Sequence, residues 1–368
     1  MSSTASPFGG EANWLRSWDS QGFHRTGTPG DHAGADWLGA EARGLGAAVE
    51  EEVFTLDRLD PGEAFVEVGG RRIEGVPVFD APATDGVSGR LGHEIAVAAL
   101  APGAVYTGEY RALRRDGGHA GLVIQCSGGH PGLALLNAEQ FNTPYGAPAI
   151  HVAEPLPSGA MAHLVVRSVR ARAAARNIVV TIRGRDPSRA PVVVMTPRSS
   201  WWQSTAERGG GIVCWLETLR ALLAAPPVCD VIFTANSGHE LGHLGLDDFV
   251  ARRPGWDGAG GAVWVHYGAN IGAAGGALSV VSADDAMREW MHAALTSAGQ
   301  PPDTMAPKTL VPSGETRDIH RAGGRYVTLV GTNPWFHLPD DRFPHSVDVP
   351  AIARIAAGAA RMVVGLTR

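Results

Sequence analysis

The chain has 368 residues, of which 44% are hydrophobic and 18% are charged, so it has enough apolar side chains for a folded core. Its 31 basic and 37 acidic residues give a net charge of −6, which argues against a nucleic-acid-binding protein. Lys308 is its single lysine and follows no glycine-rich loop, which excludes a Walker-type phosphate loop. Three cysteines without a CxxC spacing favour a reducing compartment over a disulfide or cysteine–zinc framework.

The N-terminal residues contain no basic stretch followed by an apolar one, so the sequence indicates no secretory signal. No uncharged apolar run approaches the roughly 18 residues of a membrane span. We therefore expect a cytoplasmic protein without a membrane partner.

The first part of the chain predicts two helices. A short helix is expected at Trp14–Trp18, and a second is expected to begin with Asp31 as its N-cap and to end at Leu45, before Gly46. From Val53 to Val152 the pattern changes to short alternating apolar runs broken by Gly, Pro and Asp, which is typical of a small β-rich unit.

After about residue 160, strand and helix patterns alternate. The predicted strands are Ile178–Ile182, Val192–Thr196, Val228–Thr234, Val263–Tyr267 and Tyr326–Val330, and the predicted helices are Gly210–Ala224, Asp284–Ser297 and Pro350–Leu366. This alternation predicts an α/β fold in which helices flank a mixed, mostly parallel sheet. Residues 1–69 and 156–368 would form this main domain, and residues 70–155 would form an inserted β-rich domain.

The clearest local motif is His239-Glu240-Leu241-Gly242-His243, which has the HExxH spacing. Within a helix, two histidines four residues apart can bind one zinc ion while the glutamate activates water. Here the motif directly follows a predicted strand and a short loop instead of lying inside a long helix. Leu246 and Phe249 also occupy the positions at which the extended form of the motif has glycine and histidine.

A larger part of the sequence resembles the M28 family of zinc aminopeptidases. The similar segments are the entry turn His24–Gly30, the end of the insert at Gly146–Val152, Asn177–Gly184, Gly238–Gly245 and Phe336–Asp341. They occur in the family's order over nearly the whole chain. The resemblance implies the family's aminopeptidase fold, and it implies that residues 70–155 are an insert of the protease-associated type.

The resemblance also implies that the family's two-zinc centre is altered. The family's ligand and base positions fall on Pro197, Ser199, Ala206, His239, Glu240 and His337, and one further aspartate position falls near Ala269-Asn270, just after His266. Only Glu240 and His337 keep the family's ligand type, and the position of the bridging aspartate is Ala206. The resemblance therefore implies that two zinc ions cannot be held here, because the carboxylate between them is missing.

A single zinc ion held by His239, Glu240 and His337 would have the three protein ligands of a catalytic site. His239 and Glu240 are then the candidate catalytic residues. His243 is either a fourth candidate ligand, in which case Glu240 becomes the general base, or a core histidine. Glu207 either replaces the bridging carboxylate or is a solvated acid at a helix N-terminus.

Glu207 and several other side chains are candidates for binding substrate. Arg198, Trp201 and Trp202 lie in the loop that carries the family's first ligands, where they would either recognise an anionic or aromatic group or only cover the sheet edge. His266 is either part of the pocket lining or packed at a strand end.

His337 follows a predicted strand, at the sheet end where α/β proteins bind ligands. Asp340 and Asp341 lie three and four residues later, so we expect one of them to accept the second ring N–H of His337 and fix its orientation.

These observations favour a metal-dependent hydrolase of a small amide or peptide-like substrate that uses one zinc ion. Two alternatives stay open. The first is a non-catalytic protein that binds ligands in the same cleft or through the insert. The second is an enzyme with metal-free chemistry, in which His239 is the base and Arg198 holds an anionic substrate. The sequence indicates neither the substrate nor the oligomeric state.

Overall fold

The computed structural model describes residues 9–100, 108–126 and 132–368. Its helices are α1 (Gly9–Asp19), α2 (Pro29–Gly44), α3 (Gly108–Asp116), α4 (Thr205–Ala224), α5 (Leu244–Ala251), α6 (Asp285–Ser297), α7 (Thr316–Arg321) and α8 (Val349–Leu366). Its strands are β1 (Val49–Val68), β2 (Arg71–Glu74), β3 (Val76–Pro77), β4 (Thr84–Arg90), β5 (Ile95–Leu100), β6 (Gly121–Cys126), β7 (Ala149–Val152), β8 (Met161–Ile182), β9 (Val192–Pro197), β10 (Val231–Asn236), β11 (Val263–Tyr267), β12 (Leu278–Val281), β13 (Thr304–Met305) and β14 (Arg325–Gly331).

The main sheet has the strand order β13-β12-β14-β11-β9-β10-β8-β1-β2, and β4 pairs with β8 beside this path. Its central strands β14, β11, β9 and β10 are parallel, whereas β8, β1 and β2 continue the sheet as antiparallel strands. The predicted α/β fold with a mixed sheet is thereby confirmed. The parallel centre brings the carboxyl ends of four strands to one edge, which is where open α/β sheets place their sites.

Helices cover both faces of this sheet because the side chains of its central strands alternate between two cores. Val192 and Val194 of β9 pack toward α1, α2, α4, α6 and α8. Val193 and Met195 point to the opposite face, where residues of α5 and α7 pack against them. All four side chains are at most 2% exposed, so β9 is a buried strand of the kind that parallel sheets require.

The strands β1 and β8 pair along most of their length and extend beyond the main sheet. Beside this extension lies a second sheet with the order β3-β7-β6-β5. Its strands lie between residues 76 and 152, within the predicted insert, and the same segment contains helix α3 and strand β4 of the main sheet. Its Val123 and Ile150 pack against Val66 and Leu164 of the long strands, which joins the second sheet to the main sheet through apolar contacts.

Three helix starts differ from the sequence prediction. Helix α1 begins at Gly9, five residues before Trp14. The N-cap of α2 is Thr28, and Asp31 lies inside the helix, fully buried, with its carboxylate accepting the backbone N–H of Gly27 at 2.9 Å. Helix α4 begins at Thr205, five residues before the predicted start, because Asp341 from a distant turn supplies acceptors to its first N–H groups.

Helix α8 is long and apolar enough to cross a membrane by length and composition alone. A buried core helix meets the same criterion, and α8 packs against α4 and α6 with ten buried residues. Among the described residues it is the single helix of this kind.

Candidate metal centre

The HExxH segment forms a sharp loop instead of a continuous helix. His239–Leu241 is one turn of 3-10 helix, Gly242 has a φ of 83°, and His243 has a φ of 67° before α5 begins. Only Gly adopts such backbone angles at little cost, so the strained His243 is held by its surroundings. The loop still brings the two imidazole rings together, with centroids 5.2 Å apart.

Glu315 completes a cluster with these two histidines. Ligand atoms of His239, His243 and Glu315 all lie within 4.8 Å of one another, and all three residues are buried. Among the described residues this is the single group of three or more such side chains. Its composition of two imidazoles and one carboxylate is one that zinc sites use.

Several atoms of the cluster are buried without a hydrogen-bond partner among the described residues. They are Nδ1 of His239 and both carboxylate oxygens of Glu315. Nδ1 of His239 lies 2.9 Å from Oε1 of Glu315, but the angle is not that of a hydrogen bond. Buried polar atoms are nearly always paired, so this set of atoms indicates that a bound group belongs there.

The surroundings hold these groups in place. Nδ1 of His243 lies 2.6 Å from Oδ2 of Asp318, which leaves Nε2 as its ligand atom. Nε2 of His266 lies 3.4 Å from Oε2 of Glu315, while its Nδ1 is 2.5 Å from the Thr316 hydroxyl. A carboxylate behind a metal-bound histidine is the usual means of fixing its tautomer and orientation.

A cavity of about 480 Å³ opens beside the cluster. His239 and His266 form part of its wall, together with Asn137 from the insert and residues after β11 and β14. The volume lies within the range of small-molecule pockets. His266 therefore takes the pocket-lining position that was one of its two predicted alternatives.

Electrostatics keep His239 neutral, as a metal ligand must be. Burial first, and then the positive charge of Arg208, lower the pKa of His239 to about 4.

Burial raises the pKa of Glu207, but the charges of Arg208 and His337 outweigh this effect and bring the pKa down to about 2. Glu207 is fully buried, so its predicted role as a solvated helix-terminal acid is wrong.

Arg208 and Glu207 form an ion pair beside the cluster. Nη2 of Arg208 lies 2.7 Å from Oε1 of Glu207, and its Nε donates a hydrogen bond to the carbonyl of Ser199 at 2.7 Å. Nε2 of His337 is 3.4 Å from the same carboxylate oxygen. Arg208 thus places a permanent positive charge among the positions that the family's metal ligands would occupy.

Glu240 does not point to the cluster. Its Oε1 accepts hydrogen bonds from the backbone N–H and the hydroxyl of Thr26, both at 2.7 Å, and its Oε2 accepts one from the Ser199 hydroxyl at 2.6 Å. Burial raises the pKa of Glu240, and these hydrogen bonds lower it only in part. The predicted combination of His239, Glu240 and His337 is therefore not brought together around one centre.

His337 lies after β14 as predicted, but its expected carboxylate partner is wrong. Nδ1 of His337 is 2.5 Å from the carbonyl of Leu135 in the insert. Asp341 instead accepts the N–H groups of Ala206 and Glu207 at 2.7 and 3.0 Å. The buried start of α4 takes the carboxylate because its first N–H groups have no partner within the helix.

Asp340 points away from His337, and its carboxylate lies 3.6 Å from Nε2 of His345. Its side chain is 55% exposed, so Asp340 belongs to the surface of this turn.

The predicted substrate-binding role of Arg198 is also wrong, because its guanidinium is fully buried. It donates to the carboxylate and the carbonyl of Asp31, both at 2.7 Å, and to the carbonyl of Arg176.

Trp201 and Trp202 line a separate, mainly apolar cavity of about 450 Å³. The indole N–H of Trp202 donates to the carbonyl of His337 at 2.9 Å.

The residues present fit one metal ion and not two. Pro197 and Ala206 have no side-chain ligand atoms, and the Ser199 hydroxyl is hydrogen-bonded to Glu240. Arg208 is already a cation in this region, so a second metal ion would add a further positive charge beside it. The cluster of His239, His243 and Glu315, with its unpaired buried atoms, fits a single zinc ion.

Glu315 was not found from the sequence because it lies in the loop between two predicted elements, outside every motif. Glu315 reaches the cluster because it directly precedes α7, which packs so that His266 of β11 lies 3.4 Å from its carboxylate.

No protein-family model and no curated protein sequence matches this chain. Solved structures do match it. A zinc aminopeptidase from Bacillus subtilis is similar with a TM-score of 0.76 and 17% identity, covering 95% of this chain and 93% of that one. The aminopeptidase from Aneurinibacillus sp. strain AM-1 has a TM-score of 0.75 and 13% identity, covering 99% and 95%.

Two further structures extend the comparison. A peptidase M28 precursor from Shewanella amazonensis has a TM-score of 0.75 and 14% identity, covering 97% of this chain and 92% of that one. A glutaminyl cyclase from Porphyromonas gingivalis has a TM-score of 0.53 and 12% identity, covering 98% and 99%. The chain therefore has the fold of the M28 zinc aminopeptidases that its sequence resembles.

Proposed function

We propose that this protein is a metal-dependent hydrolase of a small amide or peptide-like substrate, with one zinc ion held by His239, His243 and Glu315. The carrying observation is the cluster of these three side chains beside a small-molecule cavity, because Nδ1 of His239 and both Glu315 oxygens are buried without hydrogen-bond partners among the described residues. The similar solved structures include zinc aminopeptidases, which supports the same class of chemistry.

When bound, zinc would lower the pKa of a water molecule and polarise the carbonyl of the substrate. His239 and His243 would supply neutral nitrogen ligands, because burial and Arg208 disfavour protonation of the first and Asp318 orients the second. His266 would help to orient the Glu315 carboxylate, because its Nε2 lies 3.4 Å from Oε2 of Glu315. The cavity would exclude bulk water around the bound amide.

Metal content tests the proposal directly. Protein purified without chelator and then dialysed against zinc should retain about one equivalent by mass spectrometry. His243→Ala and Glu315→Gln should each weaken zinc affinity more than the roughly 10–100-fold expected from loss of a supporting residue. His337→Asn should retain the metal, because His337 lies outside the cluster.

His93→Ala is the matched control, since His93 is an exposed histidine of the insert. A wild-type protein that holds well under one equivalent would overturn the proposal and favour the non-catalytic binding protein. Loss of zinc in His337→Asn, with retention in Glu315→Gln, would move the centre to the positions that the family resemblance implies.

A further inference from the structure

The described residues that line the cavity beside the metal cluster include no Asp, Glu, Lys or Arg. Its polar side chains are amides, hydroxyls and the imidazoles of His239 and His266. The wall therefore offers hydrogen-bonding groups without a fixed charge.

Charged residues that contact the lining residues lie outside the lining itself, and Asp341 is one of them, since it accepts a hydrogen bond from Asn333. Arg208 is paired with Glu207 at 2.7 Å, and Glu315 lies against His239 and His266 at 2.9 and 3.4 Å. None of these charged residues is part of the lining. A substrate ammonium group in the cavity would consequently find no lining carboxylate, and a bound metal would repel it further.

The polar side chains of the wall are also largely committed to the protein. Asn333 donates to Asp341 at 3.0 Å and accepts the N–H of Trp335 at 2.9 Å, while Thr328 shares a hydrogen bond with Thr316 at 2.8 Å. The remaining lining is rich in glycine and apolar groups. Such a wall suits a ligand whose own polar groups are few and uncharged, since an ammonium buried without a partner costs several kcal/mol.

We infer that the cavity selects an uncharged amide, in which the amino group is acylated or closed into a ring, over a substrate with a free ammonium group. This inference rests on the proposed hydrolase function and specifies its substrate class. Asn270 is a specificity-determining position within it. It lines the cavity, is 6% exposed, and has a φ of 66°, which Asn and Asp tolerate better than other side chains.

The test compares pairs of compounds that differ only in this charge. Leucine p-nitroanilide and its N-acetylated form would be given to the zinc-loaded full chain at pH 6.5, where the free amine is mainly protonated. We expect kcat/KM for the acetylated compound to be at least about tenfold higher. Calorimetric binding of leucinamide and N-acetyl-leucinamide should show the same order.

Variants that introduce a carboxylate into the wall should reverse this preference. Asn270→Asp is nearly isosteric and keeps the unusual backbone angle, and Asn137→Asp places the charge on the part of the wall supplied by the insert. Each should move the preference at least about tenfold toward the free amine. Asn13→Asp, an exposed change on α1, should leave it unchanged.

The outcomes separate this inference from the proposed function. Faster turnover of the free amine by the wild-type protein would overturn the neutral-substrate inference and leave the hydrolase function intact. If neither compound is hydrolysed but the acetylated amide binds at least tenfold more tightly, the neutral cavity is supported and the hydrolase function fails. Equal binding of both compounds would overturn the inference.

Discussion

The buried ion pair between Arg208 and Glu207 gives a direct stability test of the reasoning about this site. Both side chains are at most 1% exposed, and their charged atoms lie 2.7 Å apart. Removing one partner of a buried pair leaves the other charge uncompensated, which costs about 3–5 kcal/mol. Arg208→Met would also leave the carbonyl of Ser199 without its donor, which adds about 1–3 kcal/mol.

We therefore expect Arg208→Met to lower the free energy of unfolding by about 4–8 kcal/mol. The double variant Arg208→Met with Glu207→Gln should recover most of this loss, because no buried charge is then left unpaired. It should lie about 1–3 kcal/mol below the wild type, the cost of the Ser199 carbonyl alone. Urea unfolding of chelator-treated protein, followed by tryptophan fluorescence, measures all of these differences.

Arg220→Met is the control on the same helix, because the Arg220 side chain is 53% exposed and its pairing with Glu217 is a surface contact. Its expected cost is about 0–1 kcal/mol. If Arg208→Met lowers the free energy of unfolding no more than this control does, the buried pair does not stabilise the fold. If the double variant is no more stable than Arg208→Met alone, the two side chains are not energetically coupled. Should the single variant not fold at all, the double variant still decides the question.

Two further measurements follow from the structure. Asp318→Asn should weaken zinc binding about 10–100-fold in a chelator competition, because Asp318 lies 2.6 Å from Nδ1 of His243; an unchanged affinity would mean that Asp318 does not orient His243. Burial lowers the pKa of His24 to about 3 and of His151 to about 4, below the unfolded value of about 6.5. Below pH 6.5 the unfolded chain therefore takes up protons that the folded protein does not, so the stability that these histidines contribute above pH 6.5 is lost on acidification. The free energy of unfolding, measured with urea on chelator-treated protein, should fall by about 1.4 kcal/mol per pH unit for each of these histidines as the pH is lowered from 6 to 5. A free energy of unfolding that does not change over this range would contradict their burial as neutral rings.

The fold could be predicted from the sequence because its signals are local. The apolar run Val263–Tyr267 coincides with β11, and the runs at 192–196 and 326–330 lie within β9 and β14. Asp284, predicted at the start of a helix, is the N-cap of α6 and accepts the N–H of Met287. In each case, residues adjacent in sequence supply both the pattern and the stabilising contact.

The site could be predicted only in part because its contacts join distant segments. His239 and His243 were recognisable by their spacing, although the helix that this spacing normally implies is absent. Glu315 lies 76 positions after His239, so no local pattern connects the two residues. The role of Glu240 depends on Thr26, whose hydroxyl and N–H donate to its carboxylate although Thr26 lies 214 residues earlier in the sequence.

The two buried carboxylates Glu240 and Glu315 show most clearly where a cation belongs. Glu240 occupies a position at which the resemblance implies a metal ligand, yet Thr26 and Ser199 give it three hydrogen bonds, and Ser199 itself stands where another ligand is missing. Glu315 is equally buried, but neither of its oxygens has a hydrogen bond among the described residues. Its neighbours are the imidazoles of His239 and His266, at 2.9 and 3.4 Å. Burying a carboxylate without hydrogen-bond donors is costly unless a cation compensates it. Glu240 is therefore hydrogen-bonded within the protein, whereas the cluster formed by Glu315 and the two histidines is the one that a metal ion would stabilise.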